Sequence, residues 1–98
     1  MTPVPFLVRL MSRAGNMKKS EILIENRTSK AMQFHVEPEC VQFEIPVEKA
    51  AEVSGHYESE PITIQFSDDE DGGVFGAVFP GDGGVIVRID GQMIVETI

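Results

Sequence analysis

Residues 85–96 read Val-Ile-Val-Arg-Ile-Asp-Gly-Gln-Met-Ile-Val-Glu, and this stretch decides the fold class. Two five-residue runs rich in apolar side chains flank the dipeptide Asp90-Gly91. β-Branched residues favour extended strands, and Asp-Gly supplies the positive φ angles that both central positions of a type I′ turn require. The stretch therefore predicts a β-hairpin with a two-residue turn.

Apolar and polar residues alternate through most of the chain before this hairpin, which is the pattern of half-buried strands. The clearest alternation sets Ile62, Ile64 and Phe66 against polar neighbours. Residues 47–53 fit either a helical turn or an extended segment, and a helix of seven residues is marginal, so the extended form is favoured. Further strand-like runs, separated by turn residues, cover 21–25, 32–37, 41–45 and 74–79.

The spacing of these runs predicts one all-β domain over residues 20–98. We expect about seven strands in a small antiparallel β-sandwich, with a small β-barrel as the alternative. Ser54 and Gly55 are expected to end the segment at 47–53, and residues 56–60 are expected to form a loop. Residues 1–19 show no alternation, and Met17, followed by Lys18-Lys19-Ser20, fits a natural translation start, so residues 1–19 are expected to be a basic leader that is flexible or not native.

The charge of the chain is distributed unevenly. Residues 1–20 carry four basic and no acidic side chains (+4), whereas the rest carries four basic and sixteen acidic ones (−12), which gives the net charge of −8. A body of charge −12 repels nucleic acids and anionic membranes, so neither is an expected partner. The single cysteine, Cys40, excludes a disulfide framework within the chain, and the first nine residues do not fit a secretory signal. The cytoplasm is therefore the expected compartment.

Three short segments carry a resemblance to other proteins. Residues 24–28 read Ile-Glu-Asn-Arg-Thr, residues 36–39 read Val-Glu-Pro-Glu, and residues 43–46 read Phe-Glu-Ile-Pro. In this order, within residues 22–53, they resemble a group of short uncharacterised bacterial proteins with an immunoglobulin-like or cupredoxin-like β-sandwich. Those proteins often place an aromatic residue just after Glu-Pro, where this chain has Glu39. The resemblance implies a fold and no activity.

A cupredoxin-like fold raises the question of copper. Type 1 copper sites use two histidines, one cysteine and a weak axial ligand, and in cupredoxins the cysteine and the second histidine share a late loop. Cys40 instead comes sixteen residues before His56, so the order does not fit. A looser zinc or copper site on His35, Cys40 and His56 is the alternative. The simpler interpretation pairs His35 with Glu44 across a hairpin and makes Cys40 a small apolar filler.

An acidic run offers a second possible metal site. Oxygen ligands suit calcium, and Gly72 follows four consecutive acidic residues, but their spacing is not that of an EF-hand loop. A solvated hairpin tip that keeps a sheet edge soluble is the simpler interpretation. The run consists of Asp68, Asp69, Glu70 and Asp71.

No residue pattern points to catalysis. Ser54 lies close to His56 in sequence, but no arrangement of nucleophile, base and orienting group surrounds them. No glycine-rich phosphate loop precedes a helix. We therefore expect a protein that is not an enzyme and needs no cofactor.

The chain has more apolar residues in its strands than a sheet with only one buried face requires, and this excess indicates contact with another protein. Residues 74–79 have no polar face, and the hairpin at 85–96 has a second apolar face. The sequence predicts a binding or assembly module that acts through self-association or a protein partner, with a metal-binding domain as the alternative. The candidate interface residues are Val74, Phe75, Val78, Phe79, Ile86 and Ile94.

Overall fold

The computed structural model describes residues 17–68, 70 and 72–97, which form eight strands and no helix. No helix in this part of the chain is long and apolar enough to cross a membrane. The predicted all-β class is therefore confirmed. The strands are β1 (Lys18–Glu25), β2 (Met32–Val36), β3 (Val41–Ile45), β4 (Ala50–Tyr57), β5 (Thr63–Asp68), β6 (Val74–Phe79), β7 (Val85–Ile89) and β8 (Gln92–Thr97).

The strands form two four-stranded sheets that pack face to face, so the sandwich is confirmed and the barrel is not observed. The first sheet has the order β1-β4-β7-β8, and the second sheet has the order β3-β2-β6-β5. All pairs are antiparallel except β2 and β6, which are parallel. Both of these strands start from the same end of the sandwich, β2 after the crossover from β1 and β6 after the hairpin from β5.

Eight strands are present where about seven were expected, and the extended form favoured for residues 47–53 is confirmed from Ala50 onwards, as β4. β4 continues through residues 54–57, so the expected loop is shorter than predicted. Its partners on both sides, β1 and β7, hold it extended. Gly55 is needed there for close packing rather than for a turn, since a Cβ atom would collide with the carbonyl oxygen of Gly84.

The folded body begins slightly earlier than expected. β1 starts at Lys18, and Lys18 and Lys19 pair with Tyr57 and His56 of β4. The last residues of the predicted leader are therefore part of the first sheet. Its residues 1–16 lie outside the described residues.

The core lies between the inner faces of the two sheets. Phe34 is 2% exposed and stacks on Phe43 with ring centroids 5.1 Å apart. A Cβ atom at Gly76 would collide with the Phe34 ring, so the glycine makes room for this aromatic side chain. The buried apolar residues are Ile24, Met32, Phe34, Val36, Phe43, Ile45, Ala51, Val53, Ile62, Val78, Val85, Val87 and Val95.

The predicted hairpin at residues 85–96 is confirmed. Ile89 pairs with Gln92, and the two turn residues Asp90 and Gly91 have φ angles of 53° and 78°. The register shifts between Val87/Val95 and Arg88/Met93, which leaves Ile94 as an extra residue in β8. β8 therefore carries a β-bulge, which the sequence pattern did not indicate.

Candidate functional site

β1 forms one free edge of the first sheet. All eight of its residues pair in continuous register with β4, without a bulge. The strand contains no proline or glycine. Because the other side of β1 has no neighbouring strand in the described part of the chain, a row of backbone N–H and C=O groups is available there for a further strand.

The outer face of β1 carries a prominent apolar side chain. Leu23 is 63% exposed, the highest value among the large apolar residues that the structure describes. The inner positions Ile22 and Ile24 point towards the core, so Leu23 does not contribute to it. Its nearest cross-strand neighbour on the outer face is the charged Glu52.

Charge changes sign along β1. Lys18 and Lys19 open the strand, and Glu21 and Glu25 follow. The Nζ of Lys19 lies 3.5 Å from a carboxylate oxygen of Glu21, and Arg27 lies 3.3 Å from Glu25. Both ion pairs are exposed and therefore contribute little to stability. A basic start and an acidic end make the strand complementary to an antiparallel copy of itself.

The interface residues predicted from sequence do not form one surface. β6 is a central strand of the second sheet, whereas Ile86 and Ile94 belong to the first sheet, and the outer faces of the two sheets point in opposite directions. Val78 is 0% exposed and belongs to the core, so it is not available to a partner. Phe75 and Phe79 are half-buried, and Ile86 is too. Val74 and Ile94 are exposed.

A group of possible metal ligands lies at the turn between β2 and β3. His35 Nε2 is 2.9 Å from a carboxylate oxygen of Glu37. One ligand atom each from His35, Glu37 and Cys40 lies within 4.8 Å of the others. His56 is not in this group, because it is an exposed residue of β4 in the other sheet. The structure thus brings together two of the three predicted ligands and adds Glu37.

The simpler sequence interpretation of these residues is wrong in two respects. The register places Gln42 opposite His35 and pairs Glu44 with Gln33, so His35 contacts Glu37 instead of Glu44. Cys40 is exposed in the turn and does not fill the core. Glu37 was missed because only histidine and cysteine were considered. Its position two residues after His35, on the same side of an extended chain, was the available signal.

The acidic run is only partly described. Asp68 ends β5 and is exposed, and Glu70 is exposed as well. Asp69 and Asp71 lie outside the described residues. The calcium hypothesis for this run therefore stays a prediction.

A surface groove lies beside Asn26, between residues 25–29 and 47–50. The side chain of Asn26 is directed into the protein and bonds to neighbouring backbone groups. Among the described residues, no buried side-chain nitrogen or oxygen lacks a hydrogen-bond partner. The groove therefore presents no buried polar group that awaits a ligand.

No protein-family model, curated protein or solved structure matches this chain. The edge of β1 and the ligand group at the β2–β3 turn are the two local features from which a function can be inferred.

Proposed function

We propose that this protein is a non-catalytic assembly module that forms a homodimer by pairing β1 with β1 of a second copy. The proposal rests on the regular edge of β1, which no strand of the described residues 17–68, 70 and 72–97 covers, with Leu23 exposed on it and charges that complement an antiparallel copy. Pairing of this kind joins the first sheets of two molecules into one continuous sheet of eight strands, an edge-to-edge form of strand addition.

The register of the proposed pairing follows from the faces of β1. Residues directly opposite each other in an antiparallel pair point to the same face, and the odd-numbered residues of β1 point outwards. A two-fold axis at Glu21 would place two glutamates opposite each other. An axis at Leu23 would place Glu21 opposite Glu25 of the second copy.

An axis at Ile22 avoids both repulsions. It places Lys19 opposite Glu25 of the second copy, twice by symmetry. Opposite charges in such positions contribute about 0.2–1 kcal/mol for each pair, whereas like charges are destabilising. Leu23 lies diagonally across from Leu23 of the second copy, within reach of an apolar contact.

The proposed interface is small because it involves one strand from each molecule. Interfaces below about 1,200 Å² are typical of weak and transient complexes. We therefore expect a dissociation constant on the order of micromolar to tens of micromolar, equivalent to about −6 to −8 kcal/mol.

Sedimentation velocity of the full chain, from about 1 µM to about 500 µM in the presence of a reductant, tests this proposal. The reductant prevents a disulfide through Cys40 from imitating a dimer. We expect a shift from monomer to dimer over this range. Leu23→Glu should weaken the dimer at least tenfold, because it places a glutamate opposite Glu21 of the second copy.

Met93→Glu is the matched control, since Met93 is 48% exposed on the outer face of the same sheet but lies on β8. Its dimer should be unchanged. A wild-type chain that stays monomeric throughout would refute the proposal. So would a Met93→Glu dimer weakened as much as that of Leu23→Glu. A Val74→Glu variant that loses the dimer while Leu23→Glu keeps it would also refute the proposal, and would favour the contact predicted at β6.

A further inference from the structure

We infer that His35, Glu37 and Cys40 bind one zinc ion at the turn between β2 and β3. The inference is independent of the proposed dimer, because these residues lie in the second sheet and β1 lies in the first.

The backbone places the first two side chains on one side of the chain. His35 is the last outward-facing residue of β2, and Val36 between the two is completely buried. The N–H of Glu37 donates to the carbonyl oxygen of Val78 at 2.8 Å, which fixes the start of the turn to β6. Both ligand-bearing positions are therefore held by the sheet rather than by a free loop.

The turn reverses the chain direction and brings the Cys40 side chain close to those of His35 and Glu37. Cys40 has a φ angle of 60°, in the left-handed region that non-glycine residues rarely adopt. Its thiol is exposed, and His35 and Glu37 have side-chain exposures of 26% and 31%. The group is accessible to an ion from solvent.

The distances suit a small tetrahedral ion after modest side-chain rotation. Zinc lies about 2.0–2.2 Å from nitrogen and oxygen ligands and about 2.3 Å from sulfur, so neighbouring ligand atoms are about 3.3–3.7 Å apart. The ligand atoms here already lie within 4.8 Å of one another, and the His35 and Glu37 atoms are 2.9 Å apart. Rotation of the exposed Cys40 side chain, with a smaller adjustment of Glu37, closes the difference.

The mixture of ligand atoms favours zinc over calcium and magnesium. Thiolate and imidazole suit zinc, whereas calcium and magnesium prefer oxygen ligands alone. Three protein ligands leave a fourth position for water. Phe75 covers one side of the imidazole, with the ring centroids 6.3 Å apart and an interplanar angle of 29°, and restricts the orientation of His35.

Calorimetric titration of the full chain with zinc, in a buffer containing a non-thiol reductant, tests the site. We expect one zinc ion per chain. Cys40→Ser and Glu37→Gln should each weaken binding at least tenfold. His56→Gln is the matched control, because it removes the other histidine, which lies in the first sheet, and it should leave the affinity unchanged.

Cobalt in place of zinc gives a second measurement. A thiolate-to-cobalt charge-transfer band in the near ultraviolet should appear in the wild type and in His56→Gln and should be absent in Cys40→Ser. The inference is wrong if zinc does not bind, if the band is missing in the wild type, or if Cys40→Ser binds zinc as tightly as the wild type does. The last result would assign the binding to other groups, such as the acidic run that begins at Asp68.

Discussion

Two polar side chains, Asn26 and Asp82, tie together the loops that cross between the sheets, one at each end of the sandwich. Asn26 joins the β1–β2 and β3–β4 crossovers, and Asp82 joins the β6–β7 and β4–β5 crossovers. Each makes four side-chain hydrogen bonds. Asn26 is buried and neutral, however, whereas Asp82 is exposed and charged.

The side chain of Asn26 is surrounded by both hydrogen-bond donors and hydrogen-bond acceptors. Its Nδ2 donates to the carbonyl oxygens of Lys30 and Ile45 at 2.8 and 2.9 Å. Its Oδ1 accepts from the backbone N–H and the hydroxyl of Thr28 at 2.9 and 2.7 Å. Only an amide satisfies this set, because it carries two donors and an acceptor without a charge to desolvate.

The side chain of Asp82 contacts hydrogen-bond donors only. Its carboxylate accepts from the backbone N–H groups of Glu58, Ser59 and Glu60 and from the hydroxyl of Ser59, at 2.9–3.1 Å. Solvent still reaches the charge. An amide therefore links the crossover loops where the side chain is buried between donors and acceptors, and a carboxylate links them where it is exposed and surrounded by donors only.

Asn26→Asp should have the largest effect in this comparison. The substitution places a carboxylate at a site that is 1% exposed and directs it at the carbonyl oxygens of Lys30 and Ile45. An uncompensated buried charge costs about 3–5 kcal/mol, so the free energy of unfolding measured with urea at neutral pH should fall by about that amount. A loss below about 1 kcal/mol would mean that water reaches the site.

Asn26→Ala should have the second largest effect. It removes all four side-chain hydrogen bonds, including the one that the Asn26 amide donates to the carbonyl oxygen of Ile45, at a cost of about 2–3 kcal/mol in the same urea experiment. Thr28→Val is the control, because it removes only the hydroxyl contacts of this loop. If Thr28→Val lowered the free energy of unfolding as much as Asn26→Ala does, the hydrogen bonds of the Asn26 amide would not be what stabilises the two crossover loops.

Asp82→Asn should have the smallest effect at neutral pH. Its melting temperature should be lower than that of the wild type, but the decrease should be smaller than the decrease caused by Asn26→Ala. Hydrogen bonds, chiefly from the backbone N–H of Ser59, lower the pKa of Asp82 from 3.8 to about 2. A lowered pKa in the folded state stabilises the fold above pH 3.8, and this contribution is lost as the pH falls towards 2.

The difference in melting temperature between the wild type and Asp82→Asn should therefore shrink between about pH 4 and about pH 2. Both proteins share all other acidic groups, so the difference isolates Asp82. A difference that stays constant across this range would show that the carboxylate charge does not contribute.

Local patterns in the sequence were enough to predict the strands and one turn. The Asp90-Gly91 hairpin was predicted correctly because its turn chemistry is contained in two adjacent residues. The strand predicted within residues 47–53 lies at Ala50–Tyr57 instead, because Ser54 and Gly55 resemble a turn in the sequence, whereas pairing with β1 and β7 keeps them extended.

Beyond the hairpins formed by consecutive strands, the sequence did not predict which strands are neighbours. Alternation records which face of a strand is buried but not its pairing partner, so the parallel contact of β2 with β6 and the edge position of β1 were not visible. For the same reason Val78 was expected at an interface, although it lies on a central strand and its side chain is buried in the core of the sandwich. At the β2–β3 turn, residue types predicted His35 and Cys40, but only the folded turn brings them to Glu37.

The most direct test of β1 pairing is a charge-swap experiment by sedimentation velocity with Lys19→Glu and Glu25→Lys, each alone and then mixed. Each variant alone should dimerise at least tenfold more weakly than the wild type, because residues 19 and 25 of opposing strands then carry like charges. The mixture should form a heterodimer in which every such pair is opposite in sign. Net charge alone would have a different effect, since Glu25→Lys reduces the net charge from −8 to −6 and would then strengthen the dimer. A mixture that associates no better than its components would contradict the pairing of β1 with β1.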